Sequence, residues 1–235
     1  MSGWKAKRFW KEAKAEECDG GFTVRLDGRP VKTPKKTLLV VPTLTLAQSI
    51  AAEWDAQEGT VRPETMPFTR ASNSALDKVG PLRDAVIDEI AGFGGADLLC
   101  YRAEGPAELV ARQAEAWDPL LDWARDTLGA ALTVTSGIVH VSQAETSLAR
   151  LKAILAEQTD FQLMALHDLV AISGSLILGL AVAQGKIDAD TAFRISRIDE
   201  TWQSEQWGVD ADAAAAEEKR LLAFLDASRF YALCG

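Results

Sequence analysis

The sequence predicts an α+β fold, with a small N-terminal β-rich domain over residues 1–70 that includes one helix and a larger C-terminal α-helical bundle over 71–235. Three observations carry this. Strand alternation and turn signals are confined to the stretch before Pro42, and helical periodicity recurs after it. The run FQLMALHDLVAISGSLILGLAVA, residues 161–183, is the most apolar in the chain; from Leu169 it has no charge and is apolar on every side, the pattern of a helix buried all round. This run is the expected hub of the helical core.

In the N-terminal part, Phe22, Val24 and Leu26 alternate with Thr23 and Arg25, Asp27-Gly28 signals a hairpin, and Val31 to Thr33 and Leu38 to Val41 follow as short strands. Pro30, Pro34 and Pro42 favour edge positions. The first helix, TLTLAQSIAAEWDAQ, takes Thr43 or Thr45 as its cap and repeats Leu46, Ile50 and Trp54 on one face. A proline-containing connector leads to ASNSALDKV and then LRDAVIDEIAGF, stopped by Gly92, Gly94 and Gly95. Further helices are expected over 106–129, 145–158, 160–184, 188–207 and 211–233, with LTVTSGIVHV as a hairpin or strand between the first two.

Composition narrows the function classes. A net charge of -9 argues against nucleic acid or anionic membrane surfaces as partners, because both need a basic field. The uncharged part of the hub, Leu169 to Ala183, reaches only about 22 Å as a helix, short of a bilayer core, so stable membrane insertion is not expected. Cys18, Cys100 and Cys234 are far apart, without metal spacing, and favour a reducing compartment. The basic start, WKAKRFWKEAK, is soon followed by more acid and lacks a serine-rich tract, so it reads as mature protein; a bacterial cytoplasm, or a trimmed mitochondrial matrix form, is the expected location.

Catalytic signatures are sparse. His140 and His167 lie on different segments, neither with a second ligand at metal spacing, and His167 beside Asp168 reads as a hydrogen-bonded structural histidine. No nucleophile elbow or phosphate loop occurs, and Gly92, Gly94 and Gly95 follow a helix instead of opening one. No catalytic residue, cofactor or metal is assigned. One alternative is a small-molecule enzyme using Asp97, Tyr101, His167 and Asp168 in a pocket between the two domains, which requires those groups to converge in a deep cleft. Another is a structural subunit of a stable complex.

The segment from Asp188 to Gly208 stands apart. Asp188 is a natural N-cap and Gly208 a natural stop; Ile195, Ile198 and Trp202 share a face expected to pack on the hub. Asp190 with Arg194, and Arg197 with Glu200, have the spacing of intrahelical pairs, whereas Asp199, Glu205 and Trp207 have no such evident use. Carboxylates beside large aromatics at a helix end suit an arginine-bearing protein partner. Arg29 and Lys32, on the N-terminal hairpin, are candidates for a second contact surface.

Several pieces together resemble one family, the F1-ATPase assembly chaperones known as ATP synthase mitochondrial F1 complex assembly factor 2. They are KRFW at Lys7, LDGRPVKTP at Leu26, LAQSIAAEWDAQ at Leu46, MPFTR at Met66, ADLLCYRA at Ala96, WDPLLDW at Trp117 and DETWQSEQWG at Asp199. The resemblance implies a non-enzymatic chaperone without a cofactor that binds the unassembled alpha subunit of F1-ATPase and shields its interface until the beta subunit replaces it. It points to Asp199 and Glu200 as partner-binding residues; charge, spacing and aromatic character add Trp202, Glu205 and Trp207.

Overall fold

The computed structural model describes residues 7–208 and 210–235; the basic start over 4–6 lies outside them. Two compact units form, one from the described residues up to Arg83 with 159–165 and 229–235, the other from 84–158 with 166–228.

The first unit holds the sheet. β1 (Ala13–Cys18) pairs antiparallel with β2 (Gly21–Leu26), which also pairs with β3 (Arg29–Pro30) and β4 (Val40–Val41). Asp27 and Gly28 both take positive φ, 46° and 80°, the geometry of a primed two-residue hairpin turn that matches strand twist. Val24, Leu26, Leu39 and Val41 then bury against α1 (Leu44–Asp55), which contributes Leu46 and Ile50, both fully inaccessible. Thr43 is its cap, accepting from the Leu46 amide at 3.1 Å. Phe68 on α2 (Pro67–Ser74) stacks on Phe230 at 6.4 Å between ring centres.

Three details of the sheet depart from the patterning. The strand expected over Val31 to Thr33 is displaced to Arg29–Pro30, with only an isolated bridge left at Lys32. β1 was not expected: AKAEEC has helix-like composition, and it is strand because every residue pairs across from β2. Thr23, placed on the polar alternation, is buried and satisfies its hydroxyl on the Leu39 carbonyl at 2.7 Å.

The second unit is helical. α3 (Arg83–Gly92) is followed by a 3-10 stretch, Leu98–Cys100, and the short β5 (Tyr101–Arg102), which pairs in parallel with β6 (Thr135–Ser136), so the LTVTSGIVHV piece supplies one short strand. Between them α4 (Ala107–Trp123) runs on through a wider-wound turn to Gly129, at φ 71°. α5 (Glu145–Ala156) follows.

The hub is two helices, not the single one expected over 160–184. α6 (Asp160–Ser173) stops where Gly174 takes φ 74°, and Ser175 restarts the chain as the cap of α7 (Leu176–Ala183), accepting from Leu178 N at 3.0 Å. Gly174 and Ser175 are themselves the break. Leu176, Ile177, Leu178 and Ala181 are fully inaccessible, so α7 is buried all round as far as Ala181, whereas the all-round burial expected from Leu169 fails on the end of α6, where Ala171 is exposed and Ile172 half-buried. Likewise 188–207 divides at Arg197 into α8 (Ala189–Ser196) and α9 (Ile198–Trp207). Ile195, Ile198 and Trp202 keep a helical spacing across the break, which hides it in the sequence. α10 (Ala211–Leu233) closes the chain. No helix among the described residues is long and apolar enough to cross a membrane.

Candidate functional site

α9 is positioned by α4. On α4, Gln113 is buried; its carbonyl oxygen accepts from the Ala103 amide at 2.8 Å, and its Nε2 donates to Asp199 Oδ1 at 2.6 Å. One turn further along, Trp117 is fully inaccessible, donates Nε1 to the Ile195 carbonyl at 2.8 Å, and has the Arg102 guanidinium 5.2 Å from its ring centre. The tryptophan therefore ties down the end of α8 just before the break, and α9 starts from a fixed point. Arg102 is itself held by Asp118 at 2.7 Å, which accounts for WDPLLDW as a structural joint.

Four predicted site residues, Asp199, Glu200, Trp202 and Glu205, come together on α9, and Asp199, Trp202 and Glu205 have neighbours the sequence spacing does not show. Glu200 pairs with Arg197 at 2.6 Å, as the i,i+3 spacing predicts, and Asp190 pairs with Arg194 at 2.7 Å. The expectation that Asp199 and Glu205 have no internal use is corrected. Asp199 takes Gln113, and Glu205 accepts two bonds from Arg112 Nη1, each 3.0 Å. Both partners come from α4, and a contact between helices 86 or 93 residues apart leaves no trace in local spacing.

Trp202 is half-buried and lies under Arg112, whose guanidinium is 5.1 Å from its ring centre. Glu205 holds that guanidinium above its ordinary basicity. Trp207, the last residue of α9, is 80% exposed. Arg29 and Lys32 belong to the first unit and are exposed on the hairpin and the bridge that follows it, Lys32 pairing with Leu38.

Gln113 and Arg112 are the residues that sequence reasoning missed. The available signal was Gln113 four places before Trp117, which puts an amide and an indole on one face of α4.

The groups weighed as a catalytic set have separate duties. Asp97 is completely buried, caps the 3-10 stretch through Leu99 N at 3.0 Å and accepts from Ile177 N, at the start of α7, at 3.1 Å. Burial pushes its carboxyl up to about 6 despite those bonds. Tyr101 meets His140 Nδ1 at 3.1 Å, while His167 is 3.2 Å from Asp168 and 3.6 Å from Glu89, which raise its basicity against the effect of burial. The reading of His167 as a hydrogen-bonded histidine matches this placement.

The family model for the ATP12 chaperone protein matches residues 7–125. The mitochondrial protein atp12 of Schizosaccharomyces pombe is 27% identical over 241 residues, covering 97% of this chain and 82% of that one. Among solved structures, Atp12 from Paracoccus denitrificans is 49% identical with a TM-score of 0.96, over 99% of this chain and all of its own. The Atu1473 protein of Agrobacterium tumefaciens is 39% identical with a TM-score of 0.94, over 98% and 87%. The class defined by this fold and these relatives is that of chaperones. The chain belongs to the ATP12 chaperone family.

Proposed function

We propose that this protein is an assembly chaperone that binds the unassembled alpha subunit of F1-ATPase and covers its interface until the beta subunit takes its place. It works in a bacterial cytoplasm, or in the mitochondrial matrix in a trimmed form, without cofactor or catalysis. The observation that carries the reading is membership of the ATP12 chaperone family, and Trp207, an indole that is 80% exposed at the end of an acidic helix, offers a partner an aromatic group to cover.

The acids of α9 serve this reading although they have internal partners. Gln113 occupies only one oxygen of Asp199, and Arg197 only Oε1 of Glu200. Each carboxylate retains acceptor capacity for a partner arginine while its internal bond fixes its direction. Such half-exposed pairs give moderate, salt-sensitive affinity, which suits a placeholder that must be released.

The test mixes the purified protein with isolated alpha subunit and follows aggregation by light scattering, with and without beta. The expected result is suppressed aggregation that is relieved when beta is added. Trp207→Ala and Glu200→Gln are expected to weaken the complex while the circular dichroism stays that of the parent. A protein that neither binds alpha nor changes its aggregation overturns the reading.

A further inference from the structure

We propose that the groove between α8, α9 and the first half of α10 is a docking site for a basic, apolar segment of the partner. This deepens the function proposed above by naming the chemistry of the bound segment, and it rests on that reading for the identity of the partner. The groove encloses about 550 Å³. Its floor is apolar: Phe193 and Ile198 are 3% and 6% exposed, and Leu221 completes it from α10. Across from them the first half of α10, with Ala213 and Ala214 lining the groove, is nearly all exposed. Those residues hold their helix through alanine's intrinsic propensity and leave the groove open.

Charge chooses the occupant. On the α4, α8 and α9 side stand Arg112, Arg194 and Arg197, each already neutralised by Glu205, Asp190 or Glu200. On the α10 side stand Glu217 and Glu218, with no ion pair among the described residues. The charges lining the groove that no ion pair among the described residues neutralises, Asp210, Glu217 and Glu218, are therefore negative and stand above an apolar floor, with Lys219 and Arg220 outside the lining. An arginine- or lysine-bearing segment with an apolar face complements both features.

Two binding measurements test this. The first titrates a fluorescent amphipathic peptide of leucine and arginine into the protein, beside a leucine and glutamate peptide of equal length. The arginine peptide is expected to bind at least tenfold more tightly. Ala214→Trp, which fills the groove from an exposed position, is expected to abolish that preference, and the double reversal Glu217→Lys with Glu218→Lys to invert it. Equal binding of both peptides, or an unchanged preference in a folded Ala214→Trp protein, overturns the groove.

The second measures isolated alpha subunit on the same variants, with a tenfold or greater loss expected for Ala214→Trp and none for Arg220→Glu. Parental affinity for alpha in the Ala214→Trp protein overturns the groove as the alpha site. Basic-peptide binding without any alpha binding by the parent removes the partner and leaves the groove.

Discussion

Arg112 on α4 donates to both carboxylate oxygens of Glu205 on α9, each at 3.0 Å, and its guanidinium covers the Trp202 ring from 5.1 Å. One side chain thus ties two of the candidate binding residues to the body of the helical unit. Arg112→Ala removes both contacts. Amide hydrogen exchange in α9 is expected to accelerate while that of the buried α7 does not change. Equal protection of α9 in parent and variant would show that Gln113 and Trp117 hold the helix without it.

Asp97 makes a pH prediction. Its carboxyl titrates from 3.8 in the unfolded chain to about 6 in the folded one, so the native state carries the extra proton between those values. Stability contributed by this group is present at low pH and is lost as pH rises from about 4 to about 6, by roughly 3 kcal/mol. Asp97→Asn has no such loss. The difference in unfolding free energy between variant and parent is expected to shift in the variant's favour across that window and to level off above it. A difference independent of pH contradicts the burial argument.

Gly179 sits where the two hub helices touch: a Cβ there would lie 2.6 Å from Val170 Cγ2. Valine in a helix has essentially one rotamer and cannot turn aside. Gly179→Ala is expected to cost about 1–3 kcal/mol in denaturant unfolding. Gly92→Ala, at the end of α3 with nothing within 4 Å, is expected to be neutral or to stabilise by up to about 1 kcal/mol.

Glu53 on α1 caps a second helix. Its carboxylate accepts from Phe68 N at 2.6 Å, Thr69 N at 2.7 Å and Thr69 Oγ1 at 2.6 Å, at the start of α2. Loss of these charge-assisted bonds in Glu53→Ala is expected to lower stability by about 2 kcal/mol, with Glu53→Gln in between. Urea midpoints that coincide for all three proteins would dismiss the cap.

Several features were legible before any coordinates. The Asp27-Gly28 turn, the Thr43 cap and the all-round burial of Leu176 to Ala181 follow from local chemistry: φ preferences, a hydroxyl in reach of an amide, and apolar surface that must leave water. β1 was not legible, because Lys14, Glu16 and Glu17 carry no strand signal and its pairing partner supplies the register. The breaks at Gly174 and Arg197 were also missed, since apolar spacing continues across them.

By itself the sequence determined the α+β class, the apolar hub and the gathering of acids and tryptophans into one segment, since composition and periodicity express what each local stretch must bury or expose. Only the tertiary structure decided what those acids do. α4 approaches α9 closely enough for Gln113 to take Asp199 and Arg112 to take Glu205, while nothing among the described residues covers most of Trp207. Pairing between distant helices depends on how their faces pack, and packing is a property of the whole fold, not of any window along the chain.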